Sequence, residues 1–170
     1  ENVERIWRQL QEEAEQISLR EPQVAPILHS LIKEQPSFCS AIIAILSSRL
    51  KSAAIFNREE ITAMLHRVAQ KNPSIERAAA IDLAAAFDRD PALVSLSETL
   101  LFGKGFHALE LYRFSHALWN SGEVMTAKLL QSEASYRFGV DIHPAAKIGT
   151  GVHIDHATGL VVGETATIGN

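Results

Sequence analysis

Cysteine is nearly missing from this sequence: Cys39 is the only one in 170 residues. A single thiol excludes an intramolecular disulfide and any zinc site built from several cysteines, and it suits a reducing cytoplasm. Its neighbours Phe38, Ser40, Ala41, Ile42 and Ile43 read as one helix, so Cys39 is expected to be a buried, inert thiol. Long apolar runs are also missing. Ala41–Leu46 and Ala78–Phe87 are the longest, well short of the ~20 residues a membrane-spanning helix needs, so no membrane is expected. No run of basic residues appears, and the 16 Lys and Arg are outnumbered by 20 Asp and Glu, giving a net charge of −4. Nucleic acid, which wants a clustered basic face, is set aside. No secretory pattern opens the chain. It starts at Glu1 without a methionine and stops at Asn170 inside a repeat block, so both ends are expected to be cut.

What is present is an ordinary globular composition, 46% hydrophobic and 21% charged, on a chain long enough to bury a core. The first ~140 residues carry helical periodicity. Val3, Ile6, Trp7, Leu10, Ala14 and Ile17 recur at three- and four-residue steps, with Glu12, Glu13 and Glu15 on the other face. Pro22 and Pro26 interrupt, and a short segment with Ile27, Leu28, Leu31 and Ile32 runs to Pro36. Ser37 is placed to cap a helix ending near Leu50, and Asn57 with Glu60 forms a capping-box pattern ahead of a helix over Arg58–Gln70. Ser74 opens an alanine-rich helix to Phe87, and Asp88-Arg89-Asp90-Pro91 breaks it. Helices are then expected near Ala92–Leu101, over Phe106–Trp119 after a Gly103-Lys104-Gly105 hinge, and over Glu123–Phe138 with Gly139 as a left-handed cap. Phe106, Leu109, Leu111, Tyr112, Phe114 and Trp119 have core spacing, and His29, His66, His107 and His116 read as structural or surface histidines.

After Gly139 the period changes to six. Ile142, Ile148 and Ile154 begin successive blocks, with Ala146, Val152 and Thr158 four places later. That is the repeat of a parallel β-helix, whose blocks form the flat faces of a prism. With three six-residue blocks to a coil, residue n lies below n+18, which puts Asp141 beneath Gly159 and near His156. The count then falters: the block start after Ile154 is Val162, eight residues on, and Ile168 follows. Asp141, His143, His153, Asp155 and His156 are the candidate chemical groups of this stretch, with His156 beside the irregularity. From the residues alone three readings stay open. They form an Asp–His general base, a metal site, or polar corners of a scaffold. His143 and His153 are read as corner residues, and Glu164 in the next block receives no role beyond possible second-layer hydrogen bonding.

The stretch DIHPAAKIGTGVHIDHATGLVVGETATIGN resembles the opening of the catalytic domain of the serine O-acetyltransferase family. FGKGFHALELYRFSHALWNSG and DRDPA resemble that family's helical domain. The resemblance implies an α + β fold: an all-α domain over 1–139, then over 140–170 the first coils of a left-handed parallel β-helix of hexapeptide repeats. It implies acetyl transfer from acetyl-CoA to the hydroxyl of L-serine, the first step of cysteine biosynthesis, with no metal and no permanently bound cofactor. Carried over by position, His156 is the catalytic base, Asp141 its paired carboxylate, Asp155 a serine-site residue, and Asp90 the acid that meets the substrate amino group. The family further implies a trimer-based hexamer in the cytoplasm, feedback inhibition by cysteine, and attachment of O-acetylserine sulfhydrylase through a C-terminal tail. The family's later coils, an Arg-His pair on serine and the CoA-binding coils, do not occur before Asn170. The chain as it stands is therefore expected to be catalytically incomplete. Two other readings stand beside this one: a non-catalytic helical oligomerisation fragment, and a β-helix acyltransferase with another acceptor.

Overall fold

The computed structural model describes residues 3–50 and 57–170. Helix α1 (Val3–Arg20) buries Ile6, Leu10 and Ala14, one stripe at four-residue spacing, against the rest of the bundle. Helix α2 (Ala25–Leu28) runs into one π-helical turn over His29–Lys33, where Glu34 N–H reaches back five residues to His29 O at 2.9 Å. Helix α3 (Phe38–Leu50) starts where Ser37 Oγ accepts from Ser40 N–H, and it is buried on nearly every side. Helix α4 (Arg58–Lys71) has both halves of the capping box between Asn57 and Glu60.

Helix α5 (Ser74–Arg89) buries Ala78, Ala79, Ala80, Ala84 and Ala86, small side chains that let neighbouring backbones come close. It runs two residues further than its sequence pattern suggested and stops at Asp90, whose φ and ψ of −104° and 103° are extended. Pro91 imposes that conformation by excluding the helical region for the residue before it. The next helix starts later than expected. Helix α6 is Leu96–Phe102, not Ala92–Leu101, because Ala92 N–H is taken by Asp90 Oδ1 in an Asx turn and Ser95 provides the cap. Glu13, across the bundle on α1, supplies a second cap by accepting from the N–H groups of Leu96 and Ser97. Helix α7 (Lys104–Asn120) is the central element, and it includes Gly105 instead of starting after it. Helix α8 (Val124–Phe138) ends at Gly139, in the left-handed region at φ 67°.

The chain then makes short parallel strands. β1 (Val140–Ile142) pairs with β3 (Leu160–Val162), and β2 (Lys147–Ile148) pairs with β4 (Thr167–Ile168). The register corrects the expected coil. Asp141 lies against Val161 and not Gly159, and Lys147 lies against Thr167, so one coil holds twenty residues instead of eighteen. The eight-residue block after Ile154 accounts for the difference.

One core joins the two parts, since Val140, Ile142, Ala146 and Val162 are buried in the same cluster as Leu109, Phe114 and Phe138. Tyr112 Oη donates to Ala146 O, and His116 Nδ1 lies 2.7 Å from Pro144 O, which seats α7 on the first turn of the coil. A buried ion pair does the same beneath it. Arg113 Nε donates to Asp82 Oδ2 at 2.7 Å, Arg113 Nη2 donates to Gly149 O at 2.9 Å, and Asp82 Oδ1 accepts from Val152 N–H at 3.0 Å. Glu110 is fully buried beside this pair, 3.8 Å from Arg113 Nε, and neither of its carboxyl oxygens has a hydrogen-bond partner. Burial, and then the charge of Asp82, push the Glu110 carboxyl well above the usual carboxylate range.

Cys39, expected to be buried, is half-buried, but the thiol is inert. Burial pushes the Cys39 thiol up to about 12, with the charges of Glu76 and Glu110 adding to it, so no thiolate forms near neutrality. His107 is buried with Nε2 2.8 Å from Leu100 O, and burial lowers its pKa to about 4. The unfolded ring takes up its proton near pH ~6.5. The unfolded state therefore binds the proton first as pH falls. The stability His107 contributes is present above about 6.5 and is lost between there and about 4. Replacing His107 with Gln, which keeps an N–H donor, should flatten the urea midpoint between about pH 7 and about pH 5 relative to the parent protein. An equally steep pH dependence in the variant would show that other groups set it. Among the described residues no helix is long and apolar enough to cross a membrane.

Candidate active site

Three of the four residues singled out in the sequence share one cleft between the bundle and the coil. Asp90 comes from the end of α5, and Asp155 and His156 from the irregular block. The cleft holds about 180 Å³ and is also lined by His153, Lys104 and Phe102. Pockets for drug-sized ligands run from roughly 300 to 1,000 Å³. This one suits a molecule of amino-acid size and not a large cosubstrate.

Each wall has a local cause. Pro91 and the Asx turn fix Asp90, as above. Opposite, α7 sets its first turn directly on the coil: a Cβ at Gly105 would lie 1.9 Å from Ile154 O, so only glycine permits the approach. Lys104 Nζ donates to Thr158 Oγ1, and a guanidinium nitrogen of Arg89 donates to Gly151 O, on either side of that contact. Ile154 is thereby pinned between the two residues that face the cleft, His153 and Asp155.

The eight-residue block makes its excursion immediately afterwards. His156 and Ala157 have φ of 42° and 65°, consecutive left-handed conformations in residues that are not glycine. Ala157 N–H bonds back to Asp155 O, and Thr158 N–H bonds to His156 O at 2.7 Å. These tight turns absorb the two extra residues and bury Ala157, while the His156 side chain is left 97% exposed. Strained backbone of this kind persists where the surrounding structure over-determines it. The His156 ring then meets a single carboxylate, with Nε2 3.4 Å from Asp155 Oδ2, and Asp155 Oδ1 accepts from His156 N–H at 2.8 Å.

Asp141 is elsewhere. It lies on β1, where Oδ1 accepts from Gln131 Nε2 at 2.6 Å, and it makes no hydrogen bond to His156. The expected approach of Asp141 and His156 is thus not made within this chain, because the coil is two residues longer than the arithmetic assumed and α8 supplies a nearer partner. His143 is a scaffold residue as expected, between Lys128 Nζ and the edge of Trp119. His153, expected as a corner residue, lines the cleft. Its ring nitrogen and the carboxylates of Asp90 and Asp155 place one ligand atom each within 4.8 Å of one another. The signal for it was present in the sequence: His153 and Asp155 are two apart in an extended segment, so both face one side. Glu164 is exposed.

Comparison with known proteins points one way. A family described as "Serine acetyltransferase, N-terminal" matches residues 6–111. The serine acetyltransferase of Escherichia coli K12 is 41% identical over 170 residues, all of this chain and 62% of that protein. A solved serine acetyltransferase in complex with CoA superposes with a TM-score of 0.97 at 40% identity, covering 99% of this chain and 71% of that one. Another, in complex with cysteine, gives 0.96 at 40% identity over 99% and 65%. The chain spans less than two thirds of the length of that curated relative.

Proposed function

We propose, since this chain belongs to the serine acetyltransferase family, that the protein it comes from transfers the acetyl group of acetyl-CoA to the hydroxyl of L-serine. The products are O-acetyl-L-serine and CoA. The observation that carries this reading is the cleft in which Asp90 and Asp155, from opposite walls, face one small volume beside the exposed ring of His156.

The chemistry follows from those groups. Two carboxylates are the natural receptors for the ammonium group of an amino acid, and they fix its hydroxyl relative to His156. A serine hydroxyl is a weak nucleophile near neutrality, so a ring nitrogen of His156 takes its proton as the oxygen attacks the thioester carbonyl. The carbon–sulfur bond then breaks, and the departing thiolate recovers the proton from the imidazolium. Asp155 is the carboxylate in place to stabilise that imidazolium in this chain. Asp141, whose position matches the family's paired carboxylate, holds Gln131 on Oδ1 and keeps Oδ2 as a further acceptor. We read residues 1–139 as the helical, serine-contributing domain and 140–170 as the opening of the left-handed β-helix. The remaining expectations belong to the same reading: a homo-oligomer built from trimers paired into a hexamer, inhibition by cysteine at the serine site, a sulfhydrylase partner, and a cytoplasmic location. Support for the cysteine and CoA parts comes from the solved relatives holding those molecules.

The test is thiol release from acetyl-CoA by the full-length protein, expected only when L-serine is added. Asp90→Asn should raise the KM for serine by about tenfold or more, since one charge-assisted contact to the ammonium is worth about 1.5–3 kcal/mol. Asp141→Asn should lower kcat by orders of magnitude if it orients the base, and leave it nearly unchanged if it only anchors β1 to α8. Thiol release that ignores serine would overturn the assignment.

A further inference from the structure

We propose that Asp90, His153 and Asp155 form a site for a divalent transition cation, which zinc fills in competition with the ammonium group of the acceptor. The competition rests on the functional reading above, whereas the metal site itself does not.

The donor set is the first argument. One imidazole nitrogen and two carboxylate oxygens lie within 4.8 Å of one another. Zinc bonds to such atoms at about 2.0–2.2 Å, which in tetrahedral geometry puts neighbouring ligands roughly 3.4 Å apart. The trio therefore has to close by little more than about an ångström, and the exposed Asp155 side chain, tied only to the neighbouring His156, is the member that turns, giving up the His156 contact as it does so. The second argument is rigidity elsewhere. Asp90 is held by Pro91 and its Asx turn, and the segment carrying His153 is pinned at Ile154 by the close approach of Gly105. Two ligands thus come from one extended segment and the third from the opposite wall, so a bound ion would clamp α5 to the coil. All three residues line the cleft, from which water can complete the coordination.

Selectivity follows from the imidazole. Carboxylates alone suit magnesium and calcium, whereas a mixed nitrogen and oxygen set favours zinc, copper and nickel. Competition follows from the carboxylates: Asp90 and Asp155 cannot hold an ammonium group and a zinc ion together. Lys104, the lysine lining the cleft, is directed to Thr158 and not to the trio.

Isothermal titration of metal-stripped, tag-free full-length protein with zinc chloride tests this directly. The expected result is one zinc per chain, no heat with magnesium, and binding weakened at least about tenfold in His153→Ala. Asp155→Asn serves as the second variant, with circular dichroism reporting on folding for both. L-Serine at about ten times its Kd should weaken zinc binding by about tenfold. Unchanged zinc affinity in the folded variants, or no zinc binding by a protein with normal serine-dependent activity, overturns the metal site and leaves the acetyl transfer standing. Zinc that needs His153 but is indifferent to serine overturns the shared use of the carboxylates, and with it the placing of the ammonium group here.

Discussion

Replacing His156 with Ala is expected to lower serine-dependent thiol release by about 10²–10⁴-fold, the range a positioned general base contributes. Folding should be untouched. The side chain is 97% exposed and its one side-chain contact is to Asp155 at 3.4 Å, so its loss should move stability by less than about 0.5 kcal/mol. The backbone there sits at φ 42°, which histidine adopts more readily than alanine, so any added strain shows in the thermal midpoint and not as lost activity. Activity and stability are thus separable at this position, which makes the result easy to interpret. The measurement is kcat with serine saturating, alongside the thermal midpoint. A variant that turns over at the parent rate would remove His156 from the mechanism.

The second large effect is on stability. Asp82→Ala should destabilise the fold by about 3–5 kcal/mol, because it strands the Arg113 charge in the interior. Asp82 is 1% exposed and Arg113 9%, so water cannot take over the lost partner. The same change removes the acceptor for Val152 N–H, in the segment that leads to His153. A loss of this size corresponds to a fall in Tm of roughly 6–20 °C for a chain of this length. Glu110 modulates the outcome. Burial first, and the charge of Asp82 next, push its carboxyl above the usual range, so removing Asp82 relaxes that shift and favours an ionised Glu110 beside Arg113. The double variant Asp82→Ala/Glu110→Gln should therefore be less stable than Asp82→Ala alone, as equilibrium unfolding in urea would show. A loss below about 1 kcal/mol for Asp82→Ala would mean that apolar packing, not the ion pair, seats the coil.

The elements that could be read from the sequence are those whose cause is local. The stripe of Ile6, Leu10 and Ala14, the capping box of Asn57 and Glu60, and the left-handed Gly139 each depend on residues within a turn or two of one another. The helix starts that shifted were decided partly from a distance. Helix α6 begins at Leu96 partly because Glu13, more than eighty residues away, caps it. Gly105 looked like a hinge, yet it lies inside α7, since what it accommodates is the backbone of Ile154 and not a bend.

The site divides in the same way. The break in the six-residue period was visible, and it marks where His156 leaves the regular scaffold. Its consequence for register, a coil of twenty, needed the strands to be paired. By itself the sequence determined the helical body, the change of period after Gly139, and the family, because periodicity and short motifs are properties of neighbouring residues. Only the tertiary structure decided that Asp141 belongs to Gln131, that His153 joins Asp90 and Asp155, and that Asp82 and Arg113 tie the bundle to the coil. Those choices depend on which surfaces pack together, and at Gly105 and Ile154 the packing is closer than any side chain would allow.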